Sequence, residues 1–359
     1  MKFGFVFYLF CFYTSLDAHM DSFSSGKSIE AQIYYGRIFK HSPIFKPVIT
    51  ENSFAAEVSY QWRSNKNPFH TYYNYPTIGI HIFGTQLGNT ALFGEGIGAM
   101  GSIQFHIIEQ KQFSLIWKNA VGLGYLSRTF SDTAENNAIG SHLNILAQVQ
   151  ANALFHISKN IKAQLGVGIT HFSNGRTTLP NLGINFISFH SGVMYNLNAE
   201  KPFYKFKKKD ELRILPKNIL VFGIGASDKG NIVNSVVLPT YSIQYARRFF
   251  TSPVNALIGG ISLAYKNDDI DYNIYGFTNN SDISLNFGDE IFFGRFSFVP
   301  MLGIYLYPIS SQSKYWYQKY SLNYQLPVTW NKIGLGIGAQ LKTHYGAAEL
   351  IEGKVFLTF

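Results

Sequence analysis

Apolar and polar residues alternate along most of this chain, over stretches longer than a soluble β-sandwich normally has. In HLNILAQVQANALFH, residues 142–156, every odd-numbered residue is apolar, and the even-numbered residues are polar except Leu146 and Leu154. A period of two places successive side chains on opposite faces of a β-strand. Runs of about ten such residues, with apolar side chains facing lipid and polar ones facing inward, are typical of membrane β-barrels.

The same alternation recurs in about sixteen segments. A sheet that crosses a membrane closes on itself, because unpaired backbone groups at a sheet edge are unfavourable in lipid. We therefore predict an all-β fold, a single antiparallel transmembrane β-barrel of about 14–16 strands. The predicted strands are 28–38, 54–63, 76–84, 94–107, 112–126, 142–156, 160–173, 185–197, 217–226, 237–248, 254–266, 283–293, 296–307, 318–326, 332–343 and 350–359.

The connections between these segments support a bacterial outer-membrane barrel. They alternate between short ones such as residues 158–160 and long polar ones such as 128–140 and 266–282. Outer-membrane barrels have short periplasmic turns and long external loops. The connection KPFYKFKKKDELR, residues 201–213, is an exception, because the strand count puts this long segment on the periplasmic side.

The N-terminus resembles an export signal. Lys2 precedes an apolar run, residues 3–16, which is too short to span a bilayer. We predict a signal peptide at residues 1–18, followed by the barrel at 19–359. The only cysteine is Cys11, so the mature chain would contain no disulfide and no thiolate metal site.

Composition and charge narrow the class of protein further. Hydrophobic residues make up 46% and aromatic residues 16% of the chain, but charged residues only 14%, which favours a membrane protein over a soluble enzyme. The net charge of +9 is unchanged by removal of the signal, which carries Lys2 and Asp17. Because the chain is predicted to be exported and its basic residues are scattered outside 201–213, we expect no nucleic-acid partner.

The segment THFSNGRTTLPNLGIN, residues 170–185, carries the candidate chemistry. His171 and Ser173 are two residues apart and continue the apolar, lipid-facing side of the strand predicted at 160–173. One interpretation is a pair of polar groups at the headgroup level of the membrane. The other is a serine nucleophile with its base, acting on a lipid beside the barrel.

HFSNG followed by PNLGIN resembles the motif of the PagL-type lipid A 3-O-deacylases. Members of this family are outer-membrane β-barrels that hydrolyse an ester-linked acyl chain of lipopolysaccharide without a metal. The resemblance implies that His171 is the base, Ser173 the nucleophile and Asn174 an oxyanion donor. It extends over residues 28–197, the deacylase-like part of the chain. The loop of the motif corresponds to Pro180, Asn181 and Gly183.

The later part of the chain resembles longer relatives of that family. Its ending KTHYGAAELIE, residues 342–352, is similar to proteins described as acyloxyacyl hydrolases.

The sequence departs from the family at the third catalytic position. Asn185 stands where the family pattern has a glutamate. An amide can orient His171 by accepting its Nδ1–H, but it cannot stabilise the imidazolium by charge, and loss of a triad acid can reduce the rate by up to ~10⁴. Asp228, after the following strand, is an alternative acid. Arg176 is either a ligand for a lipid phosphate or an ordinary loop arginine.

These features predict an outer-membrane serine esterase that removes an ester-linked acyl chain from lipid A. Its catalytic residues would be His171, Ser173 and Asn185, with Asn174 at the oxyanion and Arg176 on the substrate, and with no metal and no cofactor. Its partners would be lipopolysaccharide and the bacterial outer membrane, while its oligomeric state is open. The alternative is a non-catalytic barrel, either a channel or a structural protein, which needs no aligned histidine and serine.

Overall fold

The computed structural model describes residues 22–64, 68–198, 201–204, 216–228, 236–266, 281–307 and 315–359. The predicted signal peptide at residues 1–18 lies outside the described residues. Seventeen strands occur in the described part of the chain: β1 (Ser22–Ile38), β2 (Ser53–Arg63), β3 (Thr77–Gln86), β4 (Glu95–Glu109), β5 (Phe113–Leu126), β6 (Leu143–His156), β7 (Ile161–Ser173), β8 (Ile184–Asn196), β9 (Lys201–Tyr204), β10 (Asn218–Asp228), β11 (Val237–Ser252), β12 (Asn255–Lys266), β13 (Ser281–Phe293), β14 (Phe296–Tyr307), β15 (Trp316–Trp330), β16 (Ile333–His344) and β17 (Ala347–Thr358).

Two short helices interrupt the strands of the N-terminal half. A 3₁₀ helix spans Pro68–Tyr73 and an α-helix of one turn spans Thr90–Phe93. Within the described residues, neither helix combines the length and the apolar character that a membrane crossing requires.

The strands close into two antiparallel barrels of eight. β1 to β8 pair in chain order, and β8 returns to β1 in a register that runs from Ser28↔Asn196 to Ile38↔Phe186. β10 to β17 form the second barrel, which closes where β10 pairs with β17. The all-β, antiparallel barrel class is therefore confirmed, and each predicted segment overlaps a strand. The single sheet of 14–16 strands is corrected to two separate barrels.

The reason for two closures lies in the barrel interiors. In the first barrel Lys118 of β5 reaches across to Glu57 of β2, with 2.5 Å between Nζ and Oε1, and His81 of β3 bonds the same carboxylate at 2.8 Å. In the second barrel, Arg248 of β11 forms a bidentate pair with Glu290 of β13, in which two guanidinium N–H groups donate to the two carboxylate oxygens. Such contacts need a narrow lumen, and eight strands leave an interior just wide enough for side chains to fill. The alternation determines which face of the sheet a residue occupies, but it does not determine which two strands pair to close a barrel.

The exceptional connection at 201–213 marks the boundary between the barrels. Its first four residues form β9, which pairs with the start of β1 at Ser22–Ser25. Residues 205–213 lie outside the described part of the chain, and the second barrel begins at Asn218. A long segment on the side of the short turns is unusual within one barrel, but it is an ordinary link between two barrels.

The two leucines that broke the alternation of β6 lie inside the first barrel. Leu154 contacts Ile116 and Met194 in a small apolar cluster. Leu146 belongs to a larger cluster that closes the end at which residues 39–52, 87–94, 127–142 and 174–183 connect the strands, here called the loop end. The members of this cluster include Tyr34, Ile38, Phe45, Phe83, Leu87, Phe93, Leu126, Ile139, Phe172, Ile184 and Phe186.

Candidate active site

The motif segment begins at the loop end of β7. Along this strand Leu165 and Val167 are exposed on the outer face, while Gln164, Thr170 and Phe172 are buried inside. His171 and Ser173 have the parity of the exposed residues and therefore lie on the outer wall, where both are half-buried. Phe172, fully buried between them, anchors this end of the strand in the apolar cluster.

His171 is directly paired with Asn185 of β8. The distance between His171 Nδ1 and Asn185 Oδ1 is 2.7 Å. Because an amide oxygen can only accept, this contact assigns the imidazole proton to Nδ1. The other ring nitrogen, Nε2, then carries a lone pair, which is the form that a general base requires.

A second histidine fixes the orientation of Asn185. Asn185 Nδ2 lies 2.8 Å from His41 Nδ1, and His41 Nε2 lies 2.8 Å from the carbonyl oxygen of Leu182. Since the carbonyl can only accept, His41 is protonated on Nε2 and accepts the Asn185 amide on Nδ1. The amide nitrogen therefore faces His41, and the amide oxygen is turned to His171. Together these groups form a chain of hydrogen bonds from Leu182 through His41 and Asn185 to His171.

Sequence reasoning did not find His41, which stands 144 residues before Asn185 in an irregular connection. Two contacts hold that connection in place. The backbone N–H of Phe39 donates to the Asn185 carbonyl at 2.8 Å, and Asn137 bonds the backbone of both Ile44 and Lys46. No local motif surrounds His41, so only the folded chain reveals its place beside the candidate site.

Ser173 has its nearest polar neighbours in the following loop. Asn181 Nδ2 is 3.0 Å from Ser173 Oγ, and the backbone N–H of Gly175 donates to the same oxygen at 3.3 Å. Among the described residues, no hydrogen bond joins Ser173 Oγ to His171. Catalytic hydrogen bonds are often long or misaligned without substrate, and one side-chain torsion of the serine redirects its oxygen.

The Asn-Gly pair after Ser173 forms a tight turn. Gly175 and Arg176 have φ values of 66° and 70°, and Thr177 N donates to the Asn174 carbonyl at 3.3 Å. The Asn174 side chain is buried and donates to Ser141 Oγ and the Thr178 carbonyl. One of its amide hydrogens is thus used within the loop and the other on the neighbouring connection 127–142. Its backbone N–H points instead toward Asn181 Oδ1 at 3.2 Å, beside Ser173.

Gly183 packs closely against the His171 ring, and a side chain at this position would collide with it. Its φ is 78°, and a Cβ atom at this position would lie 2.7 Å from His171 Cε1. The backbone N–H groups of Leu182 and Gly183 both donate to the Ala138 carbonyl at 3.0 Å. The loop 174–183 is therefore attached to the neighbouring connection 127–142.

Asp228 and Arg176 meet where the second barrel reaches the first. Arg176 Nε donates to the Asp228 carbonyl at 3.3 Å, and Asp228 Oδ2 accepts the Leu179 N–H at 2.8 Å. The carboxylate of Asp228 therefore bonds backbone rather than His171, so the structure does not support Asp228 as the orienting acid. The role of Arg176 on a substrate stays a prediction.

Each of the two barrels matches a known family model. The family model described as lipid A 3-O-deacylase (PagL) matches residues 54–194, and the model described as acyloxyacyl hydrolase, C-terminal domain, matches residues 218–359. The two matches lie on the first and the second barrel and together span most of the chain. No curated protein matches.

Several solved structures are similar to this chain. The outer membrane enzyme PagL is 15% identical with a TM-score of 0.33, covering 45% of this chain and 97% of that chain. Neisserial surface protein A is 12% identical with a TM-score of 0.33, covering 49% and 99%. OccK3 of Pseudomonas aeruginosa is 9% identical with a TM-score of 0.22, covering 93% and 95%.

Proposed function

Because this chain belongs to the family of PagL-type lipid A 3-O-deacylases and acyloxyacyl hydrolases, we propose that it hydrolyses an ester-linked acyl chain of lipid A. The protein is a β-barrel protein of the bacterial outer membrane. The observation that carries the proposal is the chain of hydrogen bonds through His41 and Asn185 to His171. It leaves the Nε2 lone pair of His171 available on the same lipid-facing wall as Ser173.

The reaction begins with Ser173. Its Oγ attacks the ester carbonyl carbon while His171 Nε2 accepts the hydroxyl proton, and the C–Oγ bond forms. The tetrahedral intermediate expels the sugar oxygen, which receives the proton back from His171. Water then attacks the acyl-enzyme with His171 as the base, which releases the fatty acid and restores Ser173.

Backbone N–H groups and Asn181 stabilise the oxyanion. The N–H of Gly175 donates to Ser173 Oγ, and the N–H of Asn174 lies beside it, as the groups around a nucleophile do in acyl transfer. Asn181 Nδ2, at 3.0 Å from Ser173 Oγ, adds a side-chain donor. One such donor commonly contributes about 10²–10³ in kcat. In this proposal the contribution of Asn174 comes from its backbone N–H, which lies beside Ser173 and would exchange Asn181 Oδ1 for the oxyanion, whereas the side-chain amide is bonded to Ser141 and Thr178.

Asn185 orients the base without giving it a charged partner. Its oxygen fixes the tautomer and the ring angle of His171, as an asparagine does in papain-like cysteine proteases. His41 in turn keeps the amide from flipping. The enzyme therefore works with a neutral orienting group, and its imidazolium is stabilised less than that of a triad with an acid.

The test is fatty-acid release from purified lipopolysaccharide by the folded protein. Wild type should release a single class of acyl chain, and Ser173→Ala should release none. The loss of one half-buried hydroxyl should leave the barrel folded, which heat-modifiable migration on gels can verify. Unchanged release by a folded Ser173→Ala variant would remove Ser173 as the nucleophile.

A further inference from the structure

The loop that carries the candidate active site is held from one side by the second barrel. Asp228, the last residue of β10, has a relative exposure of 0%. Its Oδ2 accepts the Leu179 N–H at 2.8 Å, and its Oδ1 accepts the N–H of Val236 from its own barrel at 3.0 Å. The Asp228 N–H also donates to the Arg176 carbonyl at 2.9 Å.

This contact lies close to the groups that surround Ser173. Leu179 is two residues before Asn181, which donates to Ser173 Oγ. Gly175, whose N–H faces the same oxygen, packs against β17, since a Cβ atom on it would lie 3.2 Å from Ile351 Cβ. The loop 174–183 is thus held between the connection 127–142 of its own barrel and the rim of the other barrel.

We propose that Asp228 is a positioning residue for the deacylation, so that the second barrel completes the active site of the first. The inference rests on the proposed function. A carboxylate that accepts a backbone N–H forms one of the stronger hydrogen bonds in proteins. Removal of this carboxylate leaves the Leu179 N–H without its acceptor and releases the loop. The oxyanion donors then lose their alignment, which affects the transition state more than the binding of the ground state.

The test compares three variants in the full-length, folded protein. Asp228→Ala removes both carboxylate contacts. Asp228→Asn retains one oxygen that can accept the Leu179 N–H. Tyr73→Phe is the matched control, because its hydroxyl joins the barrels at the opposite end through the Phe292 carbonyl at 2.8 Å. The readouts are kcat and KM on lipopolysaccharide, and the rate at which trypsin cleaves after Arg176, followed by mass spectrometry of the peptide.

Asp228→Ala should lower kcat about tenfold or more while KM stays within about threefold, and Asp228→Asn should recover part of the loss. Cleavage after Arg176 should accelerate several-fold in Asp228→Ala, because the loop opens more often. Tyr73→Phe should retain the wild-type kcat and cleavage rate.

Three results would overturn the inference. A wild-type kcat in Asp228→Ala would exclude a positioning role, even if cleavage accelerates. An equal loss of kcat in Tyr73→Phe would show that any contact between the barrels matters, not this one. A KM effect without a kcat effect would assign Asp228 to binding. Failure of the proposed function gives a different pattern, in which wild type releases no fatty acid while the cleavage rates still report whether Asp228 holds the loop.

Discussion

At the scale of single residues, the candidate site replaces a charged partner of histidine with a relay of neutral groups. Asn185 accepts from His171 and donates to His41, and His41 donates to the Leu182 carbonyl. Each donor has one acceptor, so the arrangement defines a single tautomer for each ring. The proposed base, His171, is therefore oriented by neutral hydrogen-bond partners rather than by a neighbouring negative charge.

Substitutions at Asn185 separate orientation from charge. Asn185→Ala should lower kcat about tenfold or more, because His171 loses the acceptor that fixes its tautomer. Asn185→Asp has nearly the same shape and adds a negative charge that stabilises the protonated imidazole. The acidic limb of its pH–rate profile should therefore move to higher pH, with activity above that limb at least equal to wild type. A wild-type profile for both variants would place the orienting group elsewhere.

The relay through His41 can be tested by comparing a variant that loses its two hydrogen bonds with a variant that can keep both. His41→Phe removes both hydrogen bonds and should lower kcat about 5- to 30-fold, since each such bond contributes roughly 1–2 kcal/mol. His41→Gln can accept from Asn185 through its oxygen and donate to Leu182 through its nitrogen, so it should retain most activity. Steady-state assays on lipopolysaccharide decide the matter. Equal losses in both variants would mean that the imidazole itself is needed, and no loss in either would exclude the relay.

The arrangement of part of this candidate site could be predicted from the sequence alone. The two-residue period places His171, Ser173 and Asn185 on one wall because each belongs to a regular strand. His41 and the Ser173 contact of Asn181 depend on how irregular connections fold over the barrel, and periodicity carries no information about that.

At the scale of secondary-structure elements, two connections build the site around the end of β7. The loop 174–183 is bonded to 127–142 through Ala138 and Ile139, and 39–52 is bonded to 127–142 through Asn137. The strands beneath were predictable to within a few residues, because their alternation follows from one face in lipid and one face in a polar interior. The sequence also predicted connections at the ends of these strands, but not the contacts that the connections make with one another.

Gly183 tests how closely the loop must approach the base. Gly183→Ala should lower kcat about tenfold or more, because the added Cβ would lie 2.7 Å from His171 Cε1 and the φ of 78° disfavours a side chain. The matched control is Gly101→Ala on β4, where a Cβ would meet nothing within 4 Å. Lipopolysaccharide assays should find the control at wild-type activity. A fully active Gly183→Ala protein would refute the close packing of Gly183 on His171.

At the scale of the whole molecule, sixteen long strands form two filled barrels rather than one wide pore. The number of long strands was predictable, but the pairing that closes each barrel was not. A strand with alternating apolar and polar residues can pair equally well with any strand of the same pattern. The evidence in the sequence was indirect. It consisted of one long connection on the side of the short turns, and of charged residues such as Lys118 and Glu57 that need each other inside the lumen.

Ion conductance distinguishes the two architectures. In the second barrel a cavity beside Arg248 and Glu290 has a volume of about 20 Å³, enough for about one water. The first barrel is crossed by the Lys118–Glu57 pair and closed at its loop end by apolar side chains. Purified protein in planar bilayers should therefore have no large steady conductance, in contrast to the aqueous channel of a sixteen-stranded porin. A stable porin-sized conductance would contradict the filled barrels and favour a channel function.

Mass spectrometry of lipid A from cells tests the central claim most directly. Three otherwise identical strains would lack the protein, express wild type, or express Ser173→Ala at the same level in folded form. The account predicts that only wild type converts lipid A to a species lighter by one ester-linked acyl chain. Identical lipid A in all three strains, or the same loss of mass with Ser173→Ala, would contradict a serine-dependent lipid A deacylase.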